Sequence, residues 1–204
     1  MVPSIFEETL FSKKRRRETV AASQFIKSMH PKAEIQGNAE AITRVLSAGW
    51  VGQLKIHGHR AQIHISADAD EKLIAYTRQG SPHKKLLPKE VAIELRRVFA
   101  PTTGWNVIDA EWLKDENKLF VFDFIKKDGQ LLNRLNYAER FKLIPRNFIS
   151  PYIQVLPLLT TLDKCLEALS SKKPEVEGLV FKSINSAGFS DTSIVRCRKV
   201  GSRP

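Results

Sequence analysis

The first fifty residues carry apolar positions at helical spacing. From Trp50 the period changes to two, and the remaining chain breaks into short strands with helices scattered among them. Ser4 followed by Glu7 has the capping-box pattern, and Asn38 is placed to cap a helix over Ala39–Ser47 that Gly49 ends. Leu54 and Ile56 alternate with Gln53, Lys55 and His57, and Ile63 and Ile65 alternate with Gln62, His64 and Ser66. With Leu73–Tyr76, these runs read as three strands separated by turn residues. Val91, Leu95 and Val98 share a helical face over Pro88–Phe99, with Pro88 suited to the first turn. Asn106–Leu113 and Lys118–Ile125 read as a strand pair joined by the polar turn Lys114–Asn117, and Asp128–Gly129 as another turn. Helices follow over Tyr137–Ile144 and Leu162–Leu169, then strands over Gly178–Ile184 and Ser193–Lys199. The absence of regular strand–helix alternation predicts an α+β fold with antiparallel or mixed sheets.

Composition bounds what such a fold can do. The chain has 204 residues, 42% hydrophobic and 27% charged, which suits a soluble globular protein. Its net charge of +11 favours polyanionic partners. Cys165 and Cys197 are too few for a disulfide framework and lack metal-ligand spacing, which implies a reducing compartment. No apolar run reaches the roughly 18 residues that span a bilayer, and no secretory leader pattern is present. The expectation is therefore no membrane association and a cytoplasmic location, nuclear if the source is eukaryotic. Lys13–Arg17 is a dense basic run, suited to a phosphate backbone, a nuclear address or a solvated face.

The chemistry concentrates on Lys55-Ile56-His57-Gly58-His59-Arg60. A lysine amine is a nucleophile only when deprotonated, and burial beside other cations lowers its pKa. Arg60, Arg78, Lys182, Arg196 and Arg198 supply such cations and would equally hold a triphosphate. Phe120, Phe122 and Phe124 fall on one strand face, which makes Phe122 either core or a stacking platform for a base. Asp123 falls on the other face, as a metal ligand or turn cap. A second reading takes His57, His59 and His64 as a zinc site across a hairpin.

Lys55–Arg60 resembles the Lys-x-Asp-Gly nucleotide-accepting motif of the covalent nucleotidyltransferases, the superfamily of DNA ligases, RNA ligases and mRNA capping enzymes. Thr77-Arg78-Gln79-Gly80 is similar to its Ser-Arg-x-Gly element, Asp109-Ala110-Glu111 to Asp-Gly-Glu, and Phe120–Asp123 to the aromatic–aspartate strand. Glu177–Lys182 matches Glu-Gly-x-Val-x-Lys, and Val195–Arg198 resembles the closing Lys-x-Lys motif. The resemblance covers Gly52–Lys199 with motif order retained. It implies an α+β ligase-type nucleotidyltransferase domain over 50–204 with mostly antiparallel sheets and flanking helices, with 1–49 as a helical segment packed on it and no OB-fold domain in the chain. It implies ATP as nucleotide, with Mg²⁺ or Mn²⁺ on the phosphates.

Carried over, Lys55 is the nucleophile that takes AMP, and Glu177, Lys182 and Arg198 complete the catalytic set. Arg60 and Glu111 contact the ribose, Arg78 the phosphate or a 5′-end, and Phe122 the adenine face. Gln53 accepts from the adenine amino group, Lys182, Arg196 and Arg198 grip the triphosphate, and Glu111 and Glu177 organise the metal. The implied function is an ATP-dependent, DNA ligase-like polynucleotide ligase, a monomer acting on nicked DNA or RNA. A separate domain or protein would supply the OB-fold function. The alternatives are an RNA ligase, favoured by His57 in place of aspartate, a GTP-using capping-type enzyme, and a catalytically degenerate domain that binds nucleic-acid ends.

Overall fold

The period-two alternation becomes two sheets that face each other across a cleft. The computed structural model describes residues 23–199. Its elements are β1 (Ala33–Glu34), α1 (Ala39–Ser47), β2 (Trp50–Ile56), β3 (His59–Ser66), β4 (Ile74–Tyr76), α2 (Lys89–Phe99), β5 (Trp105–Leu113) and β6 (Lys118–Lys127). The chain continues through β7 (Gln130–Leu131), α3 (Tyr137–Lys142), β8 (Ile153–Val155), α4 (Leu162–Ser170), β9 (Val176–Ser183) and β10 (Ile194–Arg198). One sheet has the order β1-β10-β9-β2 and the other β4-β3-β5-β6-β7, with β8 beside β6. All pairings are antiparallel except β1 with β10 and β6 with β8.

Alternate residues of β2, β3, β5, β9 and β10 separate helix-covered core from cleft. In the four-stranded sheet, Leu179, Phe181 and Cys197 turn toward Ile42 of α1 and Cys165 and Ala168 of α4. In the six-stranded sheet, Ile63, Ile108, Ala110 and Val121 pack with Val91, Leu95 and Phe99 of α2 and Phe141 of α3. A third cluster of Ile56, Phe120, Leu156 and Val176 joins the sheets. The helix ends follow their local signals. Asn38 accepts from Ala41 N, Gly49 turns at φ 79°, and Asn136 with Glu139 forms a full capping box on α3.

The helical reading of the first fifty residues holds for α1 alone among the described ones. Residues 23–32 have no regular structure and β1 is extended, because their polar groups bond to the six-stranded sheet and to β10. The Ser4–Glu7 capping box and the Lys13–Arg17 run lie outside the described residues. Three short strands, β1, β7 and β8, carry no period of their own.

The alternation along β6 is also broken. Register shifts between Asp109 and Ala110, where Asp109 pairs with Asp123 and Ala110 with Val121, which leaves Phe122 as the extra residue of a bulge. Phe122 and Asp123 therefore both line the cleft, while Phe124 turns to the helix side with Phe99. Phe120, Phe122 and Phe124 do not share a face.

Candidate functional site

A cavity of about 350 Å³ opens between the sheets and collects most of the motif residues. Strand pairing does this directly. Gln53 and Lys55 of β2, Val180 and Lys182 of β9, and Arg196 and Arg198 of β10 all occupy the cleft-facing register of one sheet. Arg60 of β3, Asp109 and Glu111 of β5, and Phe122 and Asp123 of β6 face them from the other. Arg78 stands exposed at the rim.

Two glycines permit the close approaches. A Cβ on Gly178 would come within 2.2 Å of Cys197 O, so only glycine lets β10 pass beside Glu177. A Cβ on Gly58 would meet Trp112 O at 2.9 Å, which fixes the turn that follows Lys55 against β5.

Lys55 Nζ contacts Glu177 Oε1, and His57 Nδ1 lies 3.6 Å from Glu177 Oε2 with its side chain 75% exposed. Burial lowers the Lys55 pKa from the ordinary lysine value; Glu111 opposes that shift, and Arg198 and Arg196 reinforce it. Glu111 moves the other way. Burial raises its carboxyl to about 7 against the pull of Arg60 and Lys55. Arg196 Nε donates to Glu34 Oε2 at 2.7 Å, and Arg198 Nη1 lies 3.8 Å from the same oxygen. Arg198 Nε is buried and meets no acceptor among the described residues, so one cation facing the cleft keeps an unused donor.

The cleft floor is a buried polar network. Lys182 is 3% exposed, and its ammonium donates to Gln53 Oε1 at 3.0 Å, Tyr137 Oη at 3.2 Å and Phe122 O at 3.4 Å. Burial brings its pKa down to about 8, with Asp123 and Asp109 opposing. The Tyr137 hydroxyl lies 2.7 Å from Gln53 Oε1 and 2.8 Å from Phe122 O. Gln53 Nε2 donates to Leu156 O at 3.0 Å. Both acceptor positions of Gln53 thus face Lys182 and Tyr137, so an adenine amino group would have to displace one of them. Behind this floor Asp123 accepts from Arg140 Nε and Nη2 at 3.0 and 3.1 Å, both side chains essentially inaccessible. Removing one partner of such a pair costs about 3–5 kcal/mol, so it anchors the bulge that presents Phe122. Asp123 serves that pair.

Arg60 is similarly engaged. Its Nε and Nη2 donate to the two oxygens of Asp109 at 2.9 and 2.5 Å, and its Nη1 donates to Met29 O at 2.5 Å. Phe122 lines the cleft with two cations over its ring, Arg60 at 5.4 Å and Lys182 at 4.6 Å from the centroid. A base stacked there would share the ring with them.

The histidines do not converge. His64 is buried, with Nδ1 2.7 Å from Ser23 Oγ and Nε2 2.9 Å from Gln62 Oε1, while His57 and His59 are exposed. Among the described residues no cluster of three or more His, Cys, Asp or Glu side chains is placed to hold a metal ion. Glu111 and Glu177 both reach the surroundings of Lys55, and such a pair suits a hard cation whose remaining ligands are phosphate oxygens and water.

Sequence reasoning did not single out Tyr137, Arg140, Met29 or His30, all of which shape the cleft. The Asn136–Glu139 capping box locates α3, yet nothing local says that its first residue reaches Gln53.

No family model matches the sequence, and no curated protein does. Solved structures do share its architecture. The ligase domain of M. tuberculosis LigD superposes with a TM-score of 0.53 at 18% identity, over 83% of this chain and 60% of that one. Pmar-Lig_PreS3 superposes at 0.55 and 15% identity, over 85% and 47%, and Pmar-Lig_Pre at 0.54 and 16%, over 85% and 46%. The chain therefore spans roughly half the length of the structures it matches. No helix among the described residues is long and apolar enough to cross a membrane.

Proposed function

On a fold of the ligase-type nucleotidyltransferase kind, we propose that this protein is an ATP-dependent polynucleotide ligase, DNA ligase-like, that works through a lysyl-AMP intermediate. One observation carries the reading: Lys55 Nζ lies in a cleft with its pKa lowered by burial, against Glu177, with Arg196 and Arg198 facing the same space. A nucleophile and the cations that would hold its triphosphate substrate thus occupy one cavity.

In this reading, Lys55 Nζ, its pKa lowered by burial, loses its proton to solvent, and the Glu177 carboxylate in contact with it orients the amine. The free amine attacks the α-phosphorus of ATP, an N–P bond forms, and the P–O bond to pyrophosphate breaks. Arg196 and Arg198 exchange Glu34 for the departing phosphates. A 5′-phosphate oxygen of the nucleic-acid end then displaces Lys55 from phosphorus, and an adjacent 3′-hydroxyl displaces AMP to close the strand. Arg78, exposed at the rim, is the cation on the approach path of that end. Lys182 and Gln53 act on this reading as the rigid floor that holds Phe122, and Arg60 as the anchor of the cleft wall. Glu111 and Glu177 would hold Mg²⁺ or Mn²⁺ together with the phosphates, and the ion would neutralise phosphate charge there.

Incubation with α-labelled ATP and Mg²⁺ followed by a denaturing gel tests the reading. The protein should retain an acid-labile, base-stable label that Lys55→Ala abolishes. Absence of label from ATP, GTP and NAD⁺ alike would leave the protein an end-binding domain. His57, where the superfamily usually has aspartate, favours RNA as the second substrate class. Nicked DNA, nicked RNA and a hybrid duplex separate the two, and sealing of DNA is the expected result.

A further inference from the structure

The segment before β1 builds one wall of the cleft. Its described residues, 23–32, form no helix or strand, yet side chains of the six-stranded sheet hold them in place. The Gln62 amide accepts from Ile26 N–H at 2.9 Å and donates to Ile26 O at 2.7 Å. Tyr76 Oη donates to Ser23 O at 3.2 Å, and the Phe25 ring packs 5.9 Å from the Tyr76 ring. Arg60 secures the far end through Met29 O. His30 N–H donates to Asp191 Oδ1 at 2.8 Å, which ties the segment to the turn before β10. Ser28, Met29, His30 and Pro31 thereby line the cavity.

The chemistry at His30 follows from its neighbour. Its Nδ1 lies 3.0 Å from Arg60 Nη1. A guanidinium has only donors and does not lose its proton in a folded protein, so Nδ1 must accept. The imidazole is then neutral and its single proton sits on Nε2. Burial lowers the His30 pKa, and Arg60 and Arg78 lower it further, in keeping with a neutral ring. Nε2–H has no acceptor among the described residues, on a ring that lines the cavity. Arg60, by contrast, has most of its donors committed to Asp109, Met29 and His30.

We propose that His30 contacts the substrate: its Nε2–H donates to an oxygen of the nucleotide or polynucleotide in the cleft, and Arg60 is the positioning residue that sets its tautomer. The assignment rests on the nucleotidyltransfer reading above. A neutral donor suits a ribose hydroxyl or a phosphate oxygen. Two sources offer one: the free nucleotide and the phosphorylated end of the strand to be joined.

The test uses the full chain as wild type, His30→Ala and His30→Gln, with thermal melts to confirm folding. Glutamine retains both an acceptor for Arg60 and a side-chain N–H. One arm measures labelling of Lys55 against ATP concentration. The other measures transfer from pre-labelled protein to a nicked duplex with a 5′-phosphate, against duplex concentration. His30→Ala should raise half-saturation in one arm by about three- to tenfold, the worth of one hydrogen bond, with maximal rates within about twofold. His30→Gln should restore much of that loss. The arm that moves identifies the source of the oxygen. Unchanged half-saturation in both arms overturns the proposal, as does a loss that glutamine does not recover. If His30→Ala does not fold, His30→Phe takes its place, keeping the ring without the donor. A wild-type protein that takes no label refutes the nucleotidyltransfer reading instead. His30 is then judged by equilibrium binding of ATP and of the 5′-phosphorylated nicked duplex, where equal affinity of wild type and variant for both overturns it.

Discussion

Glu111 shows how one residue's surroundings set its chemistry. Its carboxyl stands at about 7 in the fold because burial penalises the anion more than Arg60 and Lys55 stabilise it. In the unfolded chain it returns to about 4.3. Between these values the folded state binds the extra proton, so stability falls as pH rises through that window and stays lowered above it. Glu111→Gln removes the titration and leaves an oxygen for the Gly58 N–H. The stability gap in favour of the variant should therefore widen from pH 5 to pH 8 in thermal melts. A gap independent of pH would show that the carboxyl is not buried as described. The same residue scale separates readable from unreadable assignments. Lys55, Glu177, Arg196 and Arg198 are reactive types at motif positions, and the cleft brings them together. Gln53 and Arg60 are equally conspicuous in sequence, but their donors and acceptors turn out to be engaged by Tyr137, Lys182, Asp109 and Met29. Those partners lie far along the chain, and no local pattern announces them.

At the scale of elements, period and turn chemistry located β2, β3, β5, β6, β9, β10 and the four helices, because each has enough residues to show its own buried face. β1 and β7 have two residues each and β8 has three, and each exists only through its partner strand. Residues 23–32 fail in the opposite way: their apolar spacing suits a helix, but bonds to Gln62, His64 and Arg60 hold them without regular structure. The β9–β10 ladder offers the sharpest element-level test. Gly178→Ala places a methyl 2.2 Å from Cys197 O, a backbone atom that cannot turn aside. β10 must shift, taking Arg196 and Arg198 with it. Stability should fall by about 1–3 kcal/mol, and lysyl-AMP formation should slow by at least about tenfold. Gly52→Ala on β2 meets side-chain atoms of Cys165 and Phe181 at 3.3 Å and should be milder in both assays. Equal behaviour of the two variants would refute the role given to Gly178.

For the whole molecule, the net charge of +11 makes long-range attraction to polyanions unavoidable. Binding to nicked duplex should weaken along a straight line in log K against log salt, losing about tenfold or more between 50 and 200 mM. Lys55→Ala should retain that line while losing the label, because the proposed function puts the chemistry on one amine and the binding on many cations. Affinity indifferent to salt would exclude a phosphate-backbone interface. The sequence alone determined the α+β class, the sheet-forming segments and the order of the reactive residues. Those depend on side-chain period, turn propensity and residue type, which are local properties. Only the tertiary structure decided that the β6 bulge turns Phe122 and Asp123 to the same cleft, that Asp123 belongs to Arg140, and that the segment around His30 forms a wall of the site. Register shifts, buried ion pairs and the tautomer of a histidine depend on which distant groups meet, and chain closure sets those meetings.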